Sequence, residues 1–222
     1  MRASGLRVLS LVYGLACTVY CTPASATDLS PEEIADKIRS HTVVRGEFEQ
    51  LREVPGLPGG LRSQGEFTFW REHGIYWATL QPVHRQITYR SDQTLAWPEE
   101  DGTPQTLNSR QDRQLRGLLM SVFSFDLQQL EQDFSSHWSI DGDHWGVTLT
   151  PRSRSTRRFL ESVTLGGSDT LSSLRIASRN GEVLSTQFRQ LSSPDKLSAS
   201  DCTALFAYSA SECEQLLHDH RP

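Results

Sequence analysis

Two neighbouring stretches decide the fold: Gly65-Glu66-Phe67-Thr68-Phe69-Trp70-Arg71, and Gly74-Ile75-Tyr76-Trp77-Ala78-Thr79-Leu80-Gln81-Pro82. In an extended chain, successive side chains point to opposite faces. Gly65, Phe67 and Phe69 therefore share one face of a strand, and Ile75, Trp77 and Thr79 share one face of the next. Upstream the same period of two runs from Val43 to Gln50, with Val44, Gly46, Phe48 and Gln50 alternating against Val43, Arg45, Glu47 and Glu49. The intervening Pro55-Gly56-Leu57-Pro58-Gly59-Gly60 reads as a turn or loop, because Gly and Pro oppose regular structure. Short strands follow at 85–90 and 94–97.

The period then changes. Leu115, Leu118, Leu119, Val122 and Phe123 recur at helical spacing and predict a helix over 111–123. Asp126 with Gln129 three residues on caps a second helix over 127–134, with Leu127, Leu130 and Phe134 on one face. Strands resume with Trp145, Val147 and Leu149, then Phe159, Val163 and Leu165. Asn180-Gly181 is a hairpin signal. Read as a two-residue turn, it puts Leu174 and Ile176 on one face with Val183, and Leu184 and Phe188 on the other. At the other end, Leu29-Ser30-Pro31-Glu32-Glu33-Ile34 is a helix start with a capping box, and that helix ends near Ser40. Residues 199–219 are partly helical. Helix, strands, two helices and more strands, mostly joined as hairpins, define an α+β fold. Its expected form is one highly curved antiparallel sheet, an incomplete β-barrel with helices over one mouth or face.

The first 26 residues read as a signal peptide. Arg2 and Arg7 start it, an apolar run from Val8 to Tyr20 follows, and Ala24-Ser25-Ala26 offers a cleavage position. The apolar run is shorter than the ~20 residues of a spanning helix, and Cys17 sits in only a loose lipobox. The expected organisation is a signal peptide over 1–26 and a single domain over 27–222, soluble in an oxidising extracytoplasmic space. The leader holds two of the 22 basic residues and none of the 27 acidic ones, which leaves the remainder at −7. No basic footprint for a nucleic acid is present. Of the four cysteines, Cys202 and Cys213 stay with the mature chain, and a structural disulfide closing a short C-terminal loop is expected. No C-x-x-C pair, G-x-S-x-G elbow, P-loop or G-x-G-x-x-G motif occurs. The seven histidines are scattered, and Asp141-Gly142-Asp143-His144 lacks calcium-loop spacing. No metal, no cofactor and no enzymatic activity are expected. Arg152, Arg154, Arg157 and Arg158 form a basic cluster. It is either a solvated hairpin connection or a dock for an acidic partner or anionic lipid headgroup.

The chain from Pro31 to Leu191 resembles the periplasmic outer-membrane lipoprotein carrier (LolA-like) family. The pieces that carry the resemblance are Phe48-Glu49-Gln50, the strand Gly65–Arg71, Trp77-Ala78-Thr79-Leu80-Gln81-Pro82, and Val147-Thr148-Leu149-Thr150-Pro151-Arg152. Gly74-Ile75-Tyr76-Trp77 stands where carriers have an Arg-Pro pair, so the segment looks closer to members found beside lipid exporters. The resemblance implies a half-open barrel with an apolar cavity under a helical lid. It also implies a periplasmic chaperone that binds lipoprotein acyl chains or lipids and moves them toward the outer membrane, as a monomer between an inner-membrane donor and an outer-membrane acceptor. The alternative is an accessory or lipid-sensing subunit of an envelope exporter that does not ferry cargo. On this reading Phe48, Phe67, Phe69 and Trp77 belong to the inner face of the sheet. Leu115, Leu118, Leu119, Val122, Phe123 and Phe134 contact ligand from the lid, or else form ordinary core. Arg71 holds the lid shut, with Glu72 beside it to pair with it or displace it.

Overall fold

The computed structural model describes residues 29–98 and 102–219, so the expected signal peptide lies outside the described residues. Helix α1 (Pro31–Arg39) starts on the expected capping box: the Ser30 hydroxyl accepts from the Glu33 N–H, and the Ser30 N–H donates to the Glu33 carboxylate. Five strands then follow in order: β1 (Val43–Val54), β2 (Leu57–Trp70), β3 (Gly74–Gln81), β4 (Arg85–Arg90) and β5 (Thr94–Trp97). A three-residue strand β6 (Gln105–Leu107), not expected from sequence, precedes α2 (Arg110–Ser124) and α3 (Leu127–Asp133). The second half contains β7 (Phe134–Asp141), β8 (His144–Pro151), β9 (Leu160–Gly167), β10 (Leu171–Ser178) and β11 (Val183–Ser192). A turn of 3-10 helix, Thr156–Arg158, sits between β8 and β9, and α4 (Ala199–Phe206) and α5 (Ala210–Asp219) end the described chain.

All eleven strands form one antiparallel sheet in the order β6-β5-β4-β3-β2-β1-β11-β10-β9-β8-β7. β1 and β11 pair in the middle, and β6 and β7 are the two edges. In the chain, α2 and α3 run from one edge strand to the other, so they bridge the gap that the sheet leaves open. The sheet is strongly curved. Tyr89 on β4 and Leu160 on β9 line one cavity although six strand spacings separate them, about 29 Å if the sheet were flat.

Side-chain alternation divides the sheet into two apolar faces. Phe48, Phe67, Phe69, Ile75 and Phe188 point into the concave side, where Ile34 and Ile38 of α1 and Val122 and Phe123 of α2 pack on them. Val43, Trp70, Tyr76 and Ala78 point to the convex side. There α4 and α5 cover them with Cys202, Phe206 and Cys213, joined by Leu197 just before α4. The sheet is therefore clad by helices on both sides, not over one mouth alone, because its first strands are apolar on both faces.

Three local expectations are corrected. Only Pro55 and Gly56 form the turn between β1 and β2; pairing resumes at Leu57, opposite Val54. Gly59 and Gly60 adopt positive φ within β2, where a register shift between Arg52 and Val54 takes up two extra residues. Phe134 is not the last turn of a helix but the first residue of β7, opposite Pro151 on β8. The β10–β11 loop has three residues, since Ala177 faces Val183 and the Ser178 N–H donates to the Glu182 carbonyl. That one-residue shift moves every β11 side chain to the other face. Leu184 and Phe188 thus join Leu174 and Ile176 on the concave side, and Val183 does not.

Candidate functional site

An open cavity of about 650 Å³ lies between the concave face and α2. Buried Tyr89, Leu160, Leu174 and Thr186 form its floor, with Trp77, Ile176 and Leu184 on its walls. Leu115, Leu118 and Leu119 roof it from α2. Leu115 is 41% exposed and Phe159 43% exposed, so both stand at the opening. Polar groups are confined to Gln50, Arg52, Arg85, Gln114, Ser178, Glu182 and the floor residues Tyr89 and Thr186. Burial pushes the Tyr89 phenol up to about 12, which keeps it neutral. The interior thus holds no charge, and its charged groups are at the rim.

The residues singled out from sequence fall into three places. Trp77, Leu115, Leu118 and Leu119 line the cavity. Phe48 stands behind the wall, its ring stacked on Trp77 at 4.1 Å between centroids. Phe67, Phe69, Val122 and Phe123 pack together beside the cavity, where with Arg71 they line a separate small pocket of about 30 Å³; Phe123 lies 5.5 Å from Phe69 and 6.4 Å from Phe67. Phe134 instead lines a second groove, with Leu118, Thr156 and Phe159, between α2 and the 3-10 turn. Sequence reasoning missed Tyr89, Leu160, Leu174, Ile176, Leu184 and Thr186 as lining residues. The alternation Ile87-Thr88-Tyr89 marks the first, and the correct β10–β11 register brings together Leu174, Ile176, Leu184 and Thr186.

Arg71, just past the end of β2, holds two helix ends together. Its guanidinium donates to the carbonyls of Ile38 (2.8 Å) and His41 (3.1 Å) at the end of α1, and to Ser124 (2.8 Å) at the end of α2. Carbonyls at a helix C-terminus carry partial negative charge and favour a cation there. The guanidinium also lies 5.5 Å from the centre of the Phe69 ring. Burial, then the charge of Arg39, lowers its pKa from the ordinary value, while Glu72 acts the other way. An arginine stays protonated regardless. Its hydrogen bonds go to backbone carbonyls and not to Glu72, whose φ of 65° belongs to the turn between β2 and β3. Phe125, with φ of 52°, ends α2, and Asp126 then caps α3 by accepting from the Gln129 N–H at 3.1 Å.

On the convex side Cys202 and Cys213 are bonded, with Cα atoms 5.9 Å apart, and tie α4 to α5. Three further contacts fix this pair to the sheet. The Thr88 hydroxyl donates to the Leu205 carbonyl (2.6 Å), Arg45 pairs with Asp201 (2.5 Å), and Arg90 stacks on Tyr208 at 3.8 Å. Burial raises the Asp201 pKa, but hydrogen bonds from Ser198 and Arg45 outweigh it and hold the carboxyl below its ordinary value. Among the described residues, no group of three or more His, Cys, Asp or Glu side chains is placed to hold a metal. No helix among them is long and apolar enough to cross a membrane.

The class of protein these features define is an open antiparallel half-barrel with an apolar interior, lidded by helices inserted between its edge strands. No protein-family model matches the chain, and no curated protein matches it. Among solved structures, the chain is similar to a LolA superfamily protein from Nitrosomonas europaea, with 10% identity over 78% of this chain and 97% of that one and a TM-score of 0.45. It is also similar to MucB, with 15% identity over 77% of this chain and 61% of that one and a TM-score of 0.45. A chain of the Pseudomonas aeruginosa MucA/MucB complex is 15% identical over 72% of this chain and 54% of that one, with a TM-score of 0.39.

Proposed function

We propose that this protein is a periplasmic carrier that holds lipoprotein acyl chains or lipid in the cavity beneath α2, protecting them from water on the way to the outer membrane. The observation that carries the reading is the cavity itself. Its volume falls in the range of ~300–1,000 Å³ usual for small-molecule sites. Its interior is apolar and uncharged, and it opens between a helix and the sheet. Moving one methylene out of water is worth about 0.8 kcal/mol, so a chain of ~15 methylenes gains on the order of 12 kcal/mol gross. Such affinity needs no polar contact, but it makes release slow unless the site can open. The Arg71 contacts to the ends of α1 and α2 are the element we assign to that opening.

The test is native mass spectrometry of residues 27–222 purified from a Gram-negative periplasm without detergent, followed by solvent extraction. The expected result is an acyl-bearing species at near-stoichiometric level, whose mass names the cargo. An empty protein that also fails to bind an apolar fluorescent probe would remove the reading. Transfer of bound cargo between donor and acceptor vesicles separates a ferrying carrier from a lipid-sensing subunit.

A further inference from the structure

The arginine cluster at residues 152–158 splits into two parts. Arg152 is structural: its Nε donates to the carbonyls of Phe134 (2.8 Å) and Glu131 (3.0 Å), which ties the end of β8 to α3 and β7. Arg154, Arg157 and Arg158 are exposed, and among the described residues none of the three forms an ion pair. The 3-10 turn that carries the last two runs directly into Phe159, which stands at the cavity opening. Exposed Arg179 joins them, because its N–H donates to the Phe159 carbonyl at 2.9 Å. Two more arginines, Arg52 and Arg85, sit on the rim of the same cavity. Acidic groups nearby are fewer: Glu182 pairs with Arg52 at 2.7 Å, Asp133 accepts from Gln129 at 3.2 Å, and exposed Glu161 lies three residues past Arg158, which leaves the arginines in excess. In a chain of net charge −5 this is a local inversion of sign, centred on the opening.

We infer that this rim is a docking surface for an anionic phospholipid bilayer, with Arg154, Arg157, Arg158 and Arg179 on headgroup phosphates and Phe159 and Leu115 dipping between them. The inference rests on the carrier reading and names the surface from which that cavity would load or unload. Charge alone would suit an acidic protein equally. The bilayer is favoured because two large apolar side chains are left exposed among the cations, and because the opening they flank leads into an apolar interior. An acyl chain crossing from bilayer to cavity there meets apolar side chains and stays out of water. Each arginine near an anionic surface strengthens binding about fivefold, an effect that salt screens.

The experiment is co-sedimentation of the mature chain with vesicles of phosphatidylcholine, with and without about one-third phosphatidylglycerol. It compares the wild type with R154Q/R157Q/R158Q and with F159S, each also titrated with an apolar fluorescent probe. Wild type should bind the anionic vesicles and lose them as salt is raised. The triple variant should bind about a hundredfold more weakly, and F159S should weaken binding on the same vesicles. Probe binding should be retained in the triple variant, which shows that it is folded and that the cavity is intact. Equal binding to neutral and anionic vesicles, or full binding by the triple variant, overturns the inference. So does a wild type that ignores vesicles at low salt, which would leave the cluster to an acidic protein surface. Loss of probe binding in the wild type counts against the carrier reading and not against the rim.

Discussion

Replacing Arg71 with leucine removes a cation that serves three backbone carbonyls at once. His41 lies beyond the cap of α1 and is partly exposed, so its carbonyl can take water in exchange. The carbonyls of buried Ile38 and half-buried Ser124 are the ones left short. A hydrogen bond to a charged group contributes about 1.5 kcal/mol or more, so the two together place the loss at about 3 kcal/mol. For a domain of this size, 1 kcal/mol moves the melting temperature by roughly 2–4 °C, which gives a fall of about 6–12 °C. The loss should also be local. Amide exchange measured by mass spectrometry should quicken over α1 and α2, and β10 should change little, because Arg71 touches the helix ends and not that strand. Release of a bound apolar probe should quicken in parallel. Arg71→Lys keeps the charge but not the fork geometry, and should recover only part of each effect. A melting temperature within 1 °C of wild type (about 0.3–0.5 kcal/mol), with exchange over α1 and α2 unchanged, would refute the assignment of Arg71 as a latch.

Three further outcomes follow from the same structure. A Cβ at Gly65 would lie 1.8 Å from the Ala78 carbonyl oxygen and 2.9 Å from the Phe48 ring. Gly65→Ala should therefore cost about 3 kcal/mol or more in denaturant unfolding, and an unchanged midpoint would mean that β2 and β3 are not packed as described. Removing the disulfide as C202A/C213A frees a loop closed over 11 positions, which should cost about 3 kcal/mol and move the fluorescence of Trp70 as α4 and α5 loosen; identical spectra and stability would contradict it. Asp201 ionises below its ordinary 3.8 in the folded chain, so its link to Arg45 stabilises at any pH above that value and is lost as pH falls through the lowered one. Asp201→Asn should flatten the stability profile in that acid range, and a profile that overlays wild type there would remove the link.

Much of the sheet was legible because its strands alternate cleanly. The Val44, Phe67 and Ile75 faces meet as the period of two requires, with Phe67 opposite Trp77 and Phe69 opposite Ile75. Strands at 85–90 and 94–97 and helix α2 also lie where their residues place them, since caps and spacing are local signals. What escaped depended on non-local geometry. Phe134 fits the apolar face of a helix equally well, which hid the alternation Phe134, Ser136, Trp138, Ile140 that marks β7. The Asn180-Gly181 pair announced a hairpin but not its loop length, and one residue of slip decides which face Leu184 and Phe188 occupy. The cavity suffered most from this, since Leu174, Ile176, Leu184 and Thr186, which face it from the concave side, all come from that hairpin. The convex core was hidden for another reason: Trp70 and Tyr76 alternate correctly, but only the folded chain shows that α4 and α5 cover them.

The central claim is that the space beneath α2 is where an acyl chain goes. Its most direct test is titration of a fluorescent fatty acid into the mature wild-type chain and into a variant carrying L115W and L118W. Both side chains line the cavity from the lid and neither is fully buried, so the larger rings can fill the space without entering the core around Phe123. The account predicts saturable one-to-one binding to wild type, and binding at least tenfold weaker in the variant, about 1.4 kcal/mol, at unchanged melting temperature. Equal affinity in the two proteins would place the ligand elsewhere and contradict the account.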